Sequence, residues 1–155
     1  MNSISNKLWQ DRIYLILAGI FVASLISSNL IFQKFFFWTP FAFLANTNAG
    51  GWVGWLSEYT FELSVGILPY PITFLVTDLI SEIYGREKAN RVVLVGFISS
   101  IFIMGVVMVG DMVSATSWSP VDDAVFHKVF GLFGPAVFAS MTAYITAQFI
   151  DIRIF

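Results

Sequence analysis

The residues able to do chemistry here are few, and most of them sit inside apolar runs. Asp78 and Glu82 lie four apart in the stretch Ile72 to Tyr84, so on a helix their carboxylates share a face. Asp78 is about two turns, or roughly 10 Å, from a helix end at Gly85. That is too deep for a short side chain to reach water freely. An acid inside an apolar helix is a functional-site candidate by default, its rival explanation being an internal ion pair. Glu82 has such a partner in Arg86, one turn on and in the favourable order. Asp78 has no cation at a favourable helical spacing. A second apolar run carries Ser24, Ser27, Ser28 and Asn29. The serine spacings of three and four residues put them on one face, where helix–helix hydrogen bonding is the ordinary use. The larger amide of Asn29 has donors and acceptors to spare and reads equally well as a ligand contact or as packing. A third set, Ser140, Tyr144, Gln148 and Asp151, recurs at four, four and three residues, a polar stripe that must face protein or a cavity.

What is absent narrows the chemistry. The chain has no cysteine, which removes disulfides, thiolate metal sites and a cysteine nucleophile. Its single histidine, His127, cannot build a zinc site without carboxylate partners. Asp122 and Asp123 close to it read as exposed turn acids beside an interfacial helix. No G-x-x-x-x-G-K-S/T phosphate loop occurs, and no H-E-x-x-H or G-x-S-x-G motif supplies a metal or nucleophile. An enzyme is therefore not expected, nor a cofactor or resident metal. The formal net charge of −2 and the lack of a basic run argue against nucleic acid as a partner.

The elements that must position these residues follow from composition. The chain of 155 residues is one domain's worth; it is 57% hydrophobic and 12% charged, with mean hydropathy +0.80. A soluble domain carries about a quarter charged residues, so the surface of this one must face lipid. Four stretches suit helices crossing a core of ~30 Å: Ile13 to Phe37, Leu63 to Tyr84, Val92 to Met112 and Val129 to Ile150. The first is too long for the roughly 7–15-residue apolar core of a signal peptide and reads as a retained helix. Trp38 to Glu62 reads as an ordered loop lying on the membrane, and Ser114 to Asp123 as a turn. Gly96, Gly105 and Gly110 with Ser99 and Ser100 fit close packing of the third helix. Pro69 and Pro71 cannot lie in an undisturbed helix, so the second segment should break there, with Pro71 near the start of the shorter piece. Broken helices in membranes free backbone groups at mid-depth and point to binding sites. Lys7, Arg12, Arg86, Lys88, Arg91 and Arg153 fall on one side of this plan, and Trp38, Trp52, Trp55 and Trp118 on the other. The positive-inside tendency and the aromatic belt then place the N-terminus in the cytoplasm.

Three blocks together resemble the bacterial queuosine precursor transporters of the vitamin uptake transporter group. They are Ser27-Ser28-Asn29; Leu68 to Arg86, centred on Pro71, Phe74, Thr77-Asp78 and Tyr84-Gly85; and Ala139 to Tyr144 with Gln148 to Asp151. The resemblance implies an all-α integral membrane protein, the first four helices of a six-helix bundle in a bacterial inner membrane. It implies import of 7-deazaguanine precursors for tRNA modification. Substrate-binding positions implied are Asn29, Thr77, Asp78, Glu82, Tyr144, Gln148 and Asp151. A carboxylate can accept adjacent N–H donors of a guanine-like edge, amides can pair with its carbonyl and ring nitrogen, and Tyr70, Phe74, Tyr84 or Tyr144 can stack on its face. Because Phe155 follows directly on the fourth helix, residues 1–155 read as a truncated single domain, the rival being a short form completed by self-association. A homo-oligomer or a separate energising module is the partner to expect besides the purine-like substrate and the bilayer. Two rival functions are uptake of another vitamin-like nutrient and a non-transporting helical scaffold.

Overall fold

A computed structural model of the protein describes residues 2–43, 51–140 and 142–143, with side chains from residue 8 onward. Helix α1 (Asn2–Ile31) is followed by strand β1 (Phe35–Trp38), a short helix α2 (Trp52–Glu58), strand β2 (Phe61–Ser64) and a 3-10 turn (Val65–Ile67). Then come α3 (Tyr70–Tyr84), α4 (Arg86–Met112) and α5 (Asp123–Phe130). A further helix, α6, is formed by residues 133–140 and 142–143.

Among the described residues, three segments are long and apolar enough to cross a membrane: Leu8–Ile31, Val65–Tyr84 and Arg86–Met112, with mean hydropathies of 2.0, 1.2 and 2.8. At most 22% of any of these spans is buried inside the protein, so the remaining apolar surface is what lipid covers. Of the expected fourth crossing, Val129 to Ile150, residues 141 and 144–150 lie outside the described residues, and its first part is divided between α5 and α6.

The first span ends earlier than its apolar pattern suggests. Phe32 to Trp38 continue the run, but α1 stops at Ile31, and Phe35–Trp38 pair antiparallel with Phe61–Ser64 in the register Phe35↔Ser64 to Trp38↔Phe61. The supposed start of the second span, at Leu63, is therefore strand. Rings of Trp38, Phe61, Tyr59 and Trp55 run in series at the connected end of this hairpin, with successive centroids 6.0, 4.9 and 5.2 Å apart. Such amphipathic rings suit the level of the lipid headgroups.

The break at the prolines is where local chemistry requires it. Pro69 is the N-cap of α3 and Pro71 lies in its first turn, where a missing N–H goes unnoticed. Helix α3 alone, with 15 residues, is about 22 Å long and does not span the core without the 3-10 turn before it. Hydroxyls after the break bond back to carbonyls of α3 itself: Thr73 Oγ1 donates to Tyr70 O at 2.6 Å, and Thr77 Oγ1 to Thr73 O at 3.0 Å and Phe74 O at 2.9 Å.

Helices α1, α3 and α4 pack around Phe21, Val76, Ile80, Ala89 and Val92, flanked by Tyr14, Leu17, Ala18, Leu25 and Tyr84. Gly85, at φ 88° and ψ 158°, is the whole turn between α3 and α4; that backbone region is essentially open to glycine alone. Beside it Lys88 Nζ lies 5.1 and 5.0 Å from the ring centroids of Tyr14 and Tyr84. Tyr84 also donates to Gln10 O at 2.9 Å. The start of α1 and the α3–α4 turn thus share one end of the bundle, which carries Arg12, Arg86, Lys88 and Arg91. Trp38, Trp52, Trp55 and Trp118 follow helices that end at the other.

Candidate functional site

Two polar regions come from the candidate residues, on different sides of α3. The first lies at the seam of α1, α3, α4 and α6. Phe21, Leu25 and Asn29 of α1, Tyr70 of α3, Val93 and Phe97 of α4 and Ser140 of α6 line a cavity of about 60 Å³. Asn29 is half-buried, and its Nδ2 is buried without a hydrogen-bond partner. In an apolar medium that condition is costly, which makes it the most informative feature of the seam.

The second region is the outward face of α3. Thr73, Val76 and Ile80 are its buried residues, and Asp78, five positions from Thr73, stands about 140° around the helix at 100° per residue. Asp78 and Glu82 are both exposed. Among the described residues the ion pairs are Arg91–Glu87 at 2.5 Å and His127–Asp111 at 2.8 Å, so neither Asp78 nor Glu82 has a cation. The pairing expected of Glu82 with Arg86 does not form. Gly85 turns the chain between them, so their spacing is no longer one helical turn. Thr77 is half-buried between the two regions and its hydroxyl is already used by α3's own carbonyls.

Of the remaining candidates, Tyr144, Gln148 and Asp151 lie outside the described residues, and Ser140 alone of that stripe is seen at the cavity wall. The serine face of α1 is narrower than its spacing suggests: Ser24 and Ser28 are buried and Ser27 is exposed. Ser28 donates to Gly66 O, and Ser64 donates to Phe32 O at 2.5 Å while accepting from Gly66 N at 3.1 Å. These bonds seat the 3-10 turn on the last turns of α1 and thereby fix where Tyr70 begins α3, at the cavity.

Sequence reasoning missed one functional candidate. Ser100 is 1% exposed and its Oγ is buried without a partner. The signal was present in the recurrence Ala89, Val92, Gly96, Ser100, which makes a buried stripe of small residues along α4. Also unanticipated is an apolar cleft of about 710 Å³ between the ends of α1 and α4, roofed by Phe126, Val129 and Phe130 of α5. Helix α5 is tied down by the His127–Asp111 contact and by Gln33 Nε2 donating to Val129 O at 2.7 Å. Asp122 caps α5 by accepting from Val125 N at 2.7 Å, and Asp123 accepts from Ala115 N at 2.7 Å. Both acids serve turn structure, and among the described residues no group of three or more His, Asp or Glu could hold a metal.

Apolar spans with lipid-facing surface, an interrupted helix and unpaired polar groups within the spans define a polytopic α-helical membrane protein. The profile of a family described as "Putative vitamin uptake transporter" matches residues 64–155, and the chain belongs to that family. A Haemophilus influenzae protein named "Probable queuosine precursor transporter" is 26% identical over 123 residues, which is 79% of this chain and 49% of that protein. A Bacillus subtilis protein of the same name is 26% identical over 92 residues, covering 59% of this chain and 40% of its own length. The chain thus spans half or less of the length of the curated relatives it matches. No solved structure matches it.

Proposed function

We propose that this protein is an importer of queuosine precursors, 7-deazaguanine-type bases, in a bacterial inner membrane. The observation that carries the proposal is family membership over residues 64–155, a stretch that contains the broken segment, Thr77, Asp78 and Glu82. Two relatives named for the same substrate class support it. Asp78 accepts the adjacent N–H donors of the base; Asn29, in the seam on the other side of α3, is a separate candidate contact. Glu82, Thr77, Tyr144, Gln148 and Asp151 are the further contacts. An unpaired carboxylate in a span is expensive to keep, and Asp78 is the residue whose cost a ligand with paired donors would offset. The end bearing Arg12, Arg86, Lys88 and Arg91 faces the cytoplasm, by the positive-inside tendency.

The test is uptake by bacteria that neither make nor import these precursors, scored by queuosine in their tRNA. The chain restores modification at nanomolar precursor, and its Asp78→Asn variant, present in the membrane at equal level, does so at least tenfold less well. Equal uptake by Asp78→Asn would remove the carboxylate from the mechanism. Failure of the unaltered chain, shown to be in the membrane, would reject import by this chain.

A further inference from the structure

We propose that the apolar cleft between α1, α4 and α5 holds one anionic phospholipid, with an acyl chain in the cleft and the phosphate between Lys34 and Lys128. The site stands apart from whatever substrate the protein carries. The cleft has a volume of about 710 Å³, within the ~300–1,000 Å³ usual for ligand sites. Leu30 and Ile31 of α1, Val106 and Val107 of α4 and Phe126 and Phe130 of α5 make its walls apolar. A Cβ on Gly110 would come within 3.2 Å of Phe126 Cζ, so α5 closes directly on α4 there. Such walls offer water few partners. In a bilayer a lipid tail fills that space at no cost in hydrogen bonds.

Charge selects the headgroup. Lys34 lines the cleft, and Gln33 before it donates through Nε2 to Val129 O at 2.7 Å. Lys128 immediately precedes Val129. The two lysines therefore flank a single hydrogen bond between the end of α1 and the roof. Both are exposed, and among the described residues they are the lysines or arginines of this end of the bundle. The acids of the same end leave them unpaired. Asp111 meets His127, and Asp122 and Asp123 accept from backbone amides. Glu62 lies opposite Phe37 in the strand pair, and neither it nor Glu58 takes part in the ion pairs among the described residues. Two like charges held this close repel each other, and an anion between them turns that cost into attraction. Lysine meets phosphate as a point charge, and anionic lipid surfaces attract such residues. An apolar cleft beside the pair makes the anion amphipathic, a glycerophospholipid rather than free phosphate. Trp38, four residues beyond Lys34, is of the type that marks the headgroup level, where a lipid phosphate sits.

The experiment titrates the purified chain in dodecylmaltoside micelles with dioleoyl phosphatidylglycerol or dioleoyl phosphatidylcholine. These lipids share their tails and differ in net charge, and bound lipid is counted by native mass spectrometry. The unaltered chain is compared with Lys34→Gln, Lys128→Gln, their double variant and Val106→Trp, which puts an indole into the cleft. Folding of each is checked by thermal unfolding before lipid is added. The expected result is one phosphatidylglycerol per chain, held about tenfold more tightly than phosphatidylcholine. Each lysine variant should lose about fivefold in that affinity and the double variant about thirtyfold. Val106→Trp should lose about tenfold although both lysines remain. Equal binding of the two lipids, or an unchanged affinity in the double lysine variant, overturns the proposal by removing its charge pair. Undiminished binding to folded Val106→Trp, or displacement of the lipid by millimolar inorganic phosphate, overturns it by leaving a headgroup contact without a tail site. A chain that is dimeric by light scattering, becomes monomeric in Val106→Trp and retains no lipid would give the cleft to a second copy and overturn it as well.

Discussion

Ser28 and Asn29 are neighbours on α1, yet they lead into opposite kinds of environment. From Ser28 the chain enters a joint in which polar groups are matched: its hydroxyl meets Gly66 O, Ser64 bridges Phe32 O and Gly66 N, and Val65 N donates to Lys34 O at 2.7 Å. From Asn29 it enters the wall of a cavity, and here Asn29 Nδ2 is buried with no partner, as is Ser100 Oγ on α4. In lipid every unsatisfied group is costly, so a matched group reads as architecture and an unmatched one as a place held for something else. The difference separates residues that composition alone makes look alike, since both belong to the polar run Ser27-Ser28-Asn29.

The largest effect should come from breaking the joint at its tightest point. A Cβ on Gly66 would lie 2.6 Å from Ser28 O and 3.0 Å from Phe32 Cα. Both atoms are backbone and cannot swing aside. Gly66→Ala must therefore push the 3-10 turn off α1 and weaken the Ser28 bond with it, at a cost of about 1–3 kcal/mol for overpacking. The check is the unfolding midpoint in mixed micelles, with Gly19→Ala as the control. Nothing lies within 4 Å of a Cβ on Gly19, and alanine favours the helix by about 1 kcal/mol, so that variant should hold or gain stability. Equal behaviour of the two glycines would mean that the joint is not tight.

What was legible in the sequence divides along the same line. The break at Pro69 and Pro71 was legible because proline acts on its own turn, and the position of Asp78 along α3 because it needs only helix length. The end of α1 was not. Phe32 to Trp38 still carry four phenylalanines and a tryptophan, and only pairing with Phe61–Ser64, far along the chain, turns Phe35–Trp38 into strand. The Glu82–Arg86 pair failed through the positive φ of Gly85, a conformation that glycine permits but does not announce. Ser99 and Ser100 were indistinguishable by composition; Ser100 is buried and Ser99 only partly so, a matter of helix rotation against α1. Asn29 could be marked as a candidate, but its lack of a partner is a property of three other helices.

A smaller effect is expected from Ser28→Ala. The change deletes one hydrogen bond and leaves Gly66 O without its side-chain donor. Interhelical hydrogen bonds in membranes average about 0.6 kcal/mol and reach about 1.7. With Gly66 buried in the structure, a loss of about 1 kcal/mol is expected, read as a lowered midpoint in the same micelle titration. Binding of 7-deazaguanine should weaken little, because Ser28 faces the joint rather than the cavity. A variant that unfolds normally but loses ligand would merge the two regions that the comparison holds apart.

The smallest effect on stability, and the sharpest discrimination, belongs to Ser100→Ala. Ser28 and Ser100 are both buried serines in apolar helices, 6% and 1% exposed, so a scale based on burial would assign them similar costs. Their partners differ. Removing a bonded hydroxyl forfeits the bond, whereas removing an unpaired one relieves a desolvation cost of about 1–3 kcal/mol, offset in part by the void left behind. Ser100→Ala should therefore leave the stability read in the same micelle titration unchanged or raise it by up to about 1 kcal/mol. A loss of stability as large as that of Ser28→Ala would mean that Ser100 is part of the packing, and the seam between α1 and α4 would be architecture at both levels.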